Sequence, residues 1–199
     1  FKSVLAFLLV NNLLSRELVF LTDGAQDIRS HIQSVFQFHP YRVILDWFHL
    51  KKRCQEWLSM AVRGKDRRNA ILEKALHYLW VGDVAGASEY LSSLDSADIK
   101  NRKWLDNLLG YFQKKGDAIT CYALRAKLGL RNSSNPVEKA NDLVVAGRQK
   151  HNGMAWSPEG SGALAALQMI YLNNQPDLWF HRKELYLFSP LLENTKEAA

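Results

Sequence analysis

Val19-Phe20-Leu21-Thr22-Asp23-Gly24-Ala25 and Val43-Ile44-Leu45-Asp46-Trp47-Phe48-His49-Leu50 are the two stretches that decide the fold. Each is a short apolar run that ends in an acid. Runs rich in Val, Ile, Leu and Phe and closed by turn residues predict buried strands. Between them, Ala25 to Phe36 reads as a helix. The unit is therefore strand–helix–strand, with Asp23 after the first strand and Asp46 after the second. Ligands of open α/β sheets bind at the carboxyl ends of the strands. A carboxylate at that edge can hold a divalent cation, and cations held this way serve phosphodiester chemistry.

Outward from this unit the pattern turns helical. Leu50 to Val62 begins a helix, and Arg63-Gly64-Lys65 breaks it. From Asp66 to about Leu130 apolar residues recur at helical spacing. Ile71, Leu72, Ala75, Leu76 and Leu79 mark one face. Val84, Ala87, Leu91 and Leu94 follow a Gly82-Asp83 turn. Trp104, Leu105, Leu108, Leu109 and Phe112 mark a third helix. Asp117 is the expected cap of a fourth that contains Ile119, Cys121, Tyr122 and Leu124. After Glu138 a helix is expected to about His151. Ser157-Pro158-Glu159 starts another, with Ser at N-cap and Pro at N1. Asn173-Asn174-Gln175-Pro176 reads as a linker into a tail. Lys2 to Leu14 is expected to be a buried helix.

The bulk properties narrow the classes. The chain has 199 residues, 47% of them hydrophobic, and six Trp, which suits a folded protein with a sizeable core. Its formal net charge is +6, which favours a polyanion partner. The two cysteines, Cys54 and Cys121, lie far apart in sequence, which argues against a disulfide framework or a structural zinc site and for a reducing compartment. The apolar run Val4 to Val10 is too short to cross a bilayer. His31, His39, His77 and His181 show no ligand spacing.

Four elements in order carry a resemblance: Phe20-Leu21-Thr22-Asp23-Gly24-Ala25, Ile44-Leu45-Asp46-Trp47-Phe48-His49-Leu50, Ser133-Ser134-Asn135-Pro136-Val137-Glu138 and Gly153-Met154-Ala155-Trp156-Ser157. They resemble the DDE-type transposases of bacterial insertion sequences, in the group related to Mutator-type enzymes. The likeness runs from about Leu18 to Leu167. It implies an α-rich α/β protein: part of a ribonuclease H-like core interrupted by an all-helical insertion before the catalytic Glu. The implied boundaries are 1–62 for the first part of the core, 63–131 for the insertion, 132–172 for the closing helices of the core and 173–199 for the tail.

The resemblance implies DNA transposition by metal-dependent strand cleavage and strand transfer. Asp23 and Glu138 would be catalytic ligands of Mg²⁺ or Mn²⁺, and Asp46 and His49 an accessory acid-x-x-His element. The partners implied are transposon-end and target DNA, with a homodimer or larger assembly in the active complex and no membrane. The compartment implied is the bacterial cytoplasm, at the nucleoid. No Asp precedes Asp23, so the family's first acid is missing. The chain would then be a C-terminal portion, inactive alone. Ser133 and Asn135 stand where the family has Gly, at positions where a left-handed backbone would favour Gly.

Each residue has a second reading. Asp23 could serve only as a turn residue, and Asn135-Pro136-Val137-Glu138 is also a capping box. His49 could be a half-buried structural residue. The basic groups Lys51-Lys52-Arg53 and Arg148-x-Lys150 are candidates for phosphate contacts or solvated helix faces. So are Arg63-x-Lys65-x-Arg67-Arg68 and Lys100-x-Arg102-Lys103, farther from the expected site. Met154 and Trp156 could stack on unpaired bases or pack in a core. The competing assignments for the whole chain are a non-enzymatic helical protein-interaction module, which needs no strand at Val19–Thr22 or Val43–Leu45, and another ribonuclease H-like nuclease such as a resolvase.

Overall fold

The structure is a computed structural model that describes residues 1–150 and 155–182. In chain order its elements are α1 (Lys2–Val10), β1 (Leu18–Thr22), α2 (Gln26–Phe36), β2 (Tyr41–Leu45), α3 (Trp47–Ala61), α4 (Lys65–Trp80), α5 (Val84–Ser92), α6 (Arg102–Lys115), α7 (Tyr122–Lys127), α8 (Asn135–Asn141), α9 (Gly147–Gln149) and α10 (Pro158–Leu172). The fold is α-rich α/β. The chain divides into two units: residues 17–134, and residues 1–16 with those after 134. Among the described residues no helix is long and apolar enough to cross a membrane.

In the first unit both apolar runs are strands, which the helical-module assignment does not require. They pair in parallel, with Leu18 opposite Tyr41 and Thr22 opposite Leu45. A parallel pair needs a crossover, and α2 supplies it, burying Ile32 and Phe36. Phe20 meets Phe36 with ring centroids 5.0 Å apart. The core continues without a break from Ile44 and Leu45 through α3, α4, α5 and α6 to Tyr122. Helix α3 buries Leu50, Cys54, Leu58 and Ala61, one stripe at helical spacing. Helices α4 and α6 bury the faces that the sequence marks, with Ile71, Leu72, Ala75 and Leu79 on one and Leu105, Leu108 and Phe112 on the other. The Asp83 side chain caps α5 by accepting from the Gly86 N–H at 2.7 Å.

Two sequence expectations are corrected. The fourth helix of this part begins at Tyr122, not Asp117. Ile119 is extended and buried, and the Asp117 carboxylate is held by Arg29 at 2.5 Å instead of capping a helix. Cys121 is the N-cap, its sulfur accepting from the Leu124 N–H at 3.4 Å. In the second unit the N-terminal helix stops at Val10 and buries none of its residues. Asn12, at φ 52°, turns the chain out of it into a 3₁₀ turn at Leu13–Ser15.

The second unit is helical in its described residues. Helices α8 and α9 are joined by π-helical Asp142–Ala146, so the chain is helical from Asn135 to Gln149. Helix α10 starts as its sequence predicts: Ser157 Oγ accepts from the Gly160 N–H at 3.0 Å, with Pro158 in the first turn. Beyond the turn at Asn173–Asn174 a short π-helical segment runs Leu178–Arg182.

Candidate functional site

The in-register pairing of β1 and β2 puts Asp23 and Asp46 one residue past matched strand ends. The two acids are in opposite states. Asp46 is fully buried and Asp23 is exposed.

Asp46 is the N-cap of α3. Its Oδ1 accepts from the His49 N–H at 3.0 Å. Its Oδ2 accepts from the backbone N–H of Ser134, and from the Ser134 hydroxyl at 2.8 Å. The His49 ring nitrogen Nδ1 lies 3.3 Å from the same Oδ1. Burial pushes the Asp46 carboxyl pKa up, but the hydrogen bonds from Ser134 and His49 outweigh it and hold the pKa below its ordinary value. Both oxygens are thus occupied in building the site.

The neighbouring chain is fixed by the same end of the sheet. The Asp46 N–H donates to the Thr22 carbonyl at 2.7 Å, and the Trp47 N–H to the Asn132 carbonyl at 2.9 Å. The buried Tyr122 hydroxyl donates to the Leu45 carbonyl at 2.8 Å. Its ring lies 4.9 Å from Trp47 and stacks on Trp80 at 6.0 Å. Among the described residues only Asn12 and Asn174 are non-glycines at positive φ. Ser133 and Asn135 therefore take no left-handed backbone.

Asp23 is held differently. Its Oδ1 accepts from the Ala25 N–H at 2.9 Å, so the turn reading of this residue is present. Gly24 follows at φ 85°, a left-handed backbone that favours Gly, and a Cβ there would also press on the end of the Leu45 side chain at 2.9 Å. Asp23 lines a pocket of about 140 Å³ with His49, Lys52, Arg53 and Glu56. Those four side chains stand at positions i, i+3, i+4 and i+7, one face of α3. The Arg53 guanidinium lies 5.2 Å from the Trp57 ring and 5.9 Å from the Tyr111 ring. Burial pushes the Tyr111 hydroxyl up to about 12, with Arg53 pulling the other way.

Of the residues singled out by sequence, the structure brings together Asp23, His49, Lys52 and Arg53, with Asp46 beneath them. Lys51 is exposed but does not line the pocket. Glu56 and Ser134 were missed. The heptad spacing from His49 could have found Glu56; nothing local marks Ser134. Glu138 lies in the other unit, exposed in the first turn of α8, whose helix already includes Asn135. Lys150 follows α9 and is exposed, while of Arg148 only the backbone is described, within α9. Trp156 is 41% exposed, so it is not a core residue there. Met154 lies outside the described residues.

Among the described residues no three His, Cys, Asp or Glu come together as a metal-holding group. Asp23 is an available ligand but does not by itself make a metal site. A larger groove, about 940 Å³, runs along β2 and the segment around α7, and no candidate residue lines it. No protein-family model, curated protein or solved structure matches the chain.

Proposed function

We propose that this chain carries part of the catalytic machinery of a DDE-type transposase, a ribonuclease H-like enzyme that cuts and rejoins DNA strands. One observation carries the reading. Asp23 is an exposed acid at the carboxyl end of a parallel strand, in register with a buried acid and beside Lys52 and Arg53. The strand end supplies the position that α/β enzymes use, and the cations supply attraction for a phosphodiester. Asp46 has the role of a clamp. Its carboxylate ties Ser134, four positions before Glu138 in the sequence, to the end of β2.

In this reading Asp23 and Glu138 are ligands of Mg²⁺ or Mn²⁺, and the family's first acid is not among residues 1–22, where no Asp occurs. Residues 1–199 are then expected to bind DNA without cutting it. Lys51, Lys52 and Arg53 would track the backbone, with Arg148 and Lys150 as further contacts and Met154 and Trp156 as stacking platforms. Transposon ends and target DNA would be the substrates, with two or more copies in the active complex acting at the bacterial nucleoid. A gel-shift titration on duplex DNA over several salt concentrations tests the partner. Neutralising two phosphates contributes about 1.8 to the log–log salt slope. Lys51→Ala with Lys52→Ala should remove up to about that much. Absent or salt-insensitive binding would defeat the reading.

A further inference from the structure

The fold joins two basic clusters that the sequence keeps apart and that the proposed site does not use. A pocket of about 250 Å³ lies at the end of α3 and is lined by Ser59, Val62, Gly64, Lys65, Arg68 and Lys100. Three of these six are cations and none is an acid. The nearby Asp98 is engaged elsewhere: Arg67 donates to it from Nε at 2.9 Å and from a terminal nitrogen at 2.6 Å.

The pocket is held by backbone. Val62 and Ile99 form an antiparallel bridge, the Lys100 N–H donates to the Ala61 carbonyl at 2.8 Å, and the Arg63 N–H donates to the Asp98 carbonyl at 2.8 Å. Side chains are fixed too. Lys100 Nζ donates to the Ser59 carbonyl at 2.8 Å, and a terminal nitrogen of Arg68 donates to the Ser59 hydroxyl. That hydroxyl donates in turn to the Gln55 carbonyl at 2.6 Å. Closing the end of α3 accounts for these bonds and no more. An ammonium has three donors and a guanidinium five. Among the described residues the Arg68 Nε is buried with no hydrogen-bond partner. Three cations line one pocket with no carboxylate among its lining residues, so they repel one another there, and an anion in the pocket relieves that repulsion.

We infer that this pocket binds a phosphate group. Tetrahedral oxygens can accept from Lys65, Arg68 and Lys100 at once, with charge-assisted hydrogen bonds. The phosphate can come from a nucleic-acid backbone or from a free phosphate. The inference does not rest on Asp23 or Glu138.

The test is an amide NMR titration of the whole chain, with inorganic phosphate first and then with a short DNA duplex. Phosphate should move the resonances of Gly64, Lys65, Arg68 and Lys100. Lys65→Gln with Lys100→Gln should weaken phosphate binding about tenfold, which corresponds to about 1.4 kcal/mol. Lys65→Arg with Lys100→Arg should retain it. If the glutamine pair also lowers the DNA salt slope by about 1.8, the ligand is the backbone. Phosphate shifts with an unchanged slope assign free phosphate. No shift in the wild type, or equal shifts in the glutamine pair, would overturn the site. Should that pair fail to fold, the wild-type titration decides alone. Phosphate binding with no DNA binding at all would defeat the transposase reading and leave this site standing.

Discussion

Ser134 donates both its backbone N–H and its hydroxyl to one carboxylate oxygen of Asp46, 88 positions earlier in the chain. A buried carboxylate is tolerable only when its oxygens are satisfied. The other oxygen takes the His49 N–H, so one side chain caps α3 and fastens residue 134 to the end of β2. Asp46 is thus a structural clamp that joins the start of α3, residue 134 and the end of β2.

The clamp predicts a pH-dependent stability. Asp46→Asn keeps the shape, but it removes the charge and sets an amide donor against the donors of Ser134 or His49. The cost should be about 2–3 kcal/mol at neutral pH, from charged hydrogen bonds lost and donors left unmet. The Asp46 pKa is lowered in the fold. Its contribution is therefore complete above the ordinary carboxylate value of about 4 and is lost as pH falls through the lower folded value. Urea unfolding of wild type and variant should show a gap that narrows below about pH 4. A gap constant into stronger acid would contradict the clamp.

The legible part of this fold was what periodicity and turn chemistry encode locally. Both strands, the acids that follow them, the buried faces of α4 and α6 and the Ser157 cap follow from residues within a few positions of each other. The start of α7 did not. Asp117 has good capping chemistry, but Arg29, from a distant helix, takes its carboxylate. The state of the two acids was not legible either. Asp23 and Asp46 each end an apolar run, and what separates the buried clamp from the exposed acid is the bonding of Asp46 to the distant Ser134 together with its cap on His49. The Lys2–Leu14 run looked buried, yet none of its residues is fully buried.

The two cysteines should report on the core separately. Cys54 is buried among α3 neighbours, and burial pushes its thiol up to about 12. Cys121 is half-buried at the start of α7. A thiol reagent at neutral pH should label Cys121 first and reach Cys54 only through larger openings of the fold. Mass spectrometry of the labelled chain distinguishes the two. Equal labelling rates in the native state would show that α3 is not packed as described.

Divalent-metal binding tests the central claim most directly. Mn²⁺ broadens the NMR signals of nuclei close to it, so a titration of the whole chain locates it without any need for catalysis. The account predicts broadening at Asp23, Gly24 and Ala25 together with the residues around Glu138. It also predicts that Asp23→Asn or Glu138→Gln alone removes both sets, because under the proposed function the two carboxylates share one ion. Broadening confined to one acid, or unchanged by either substitution, would contradict it.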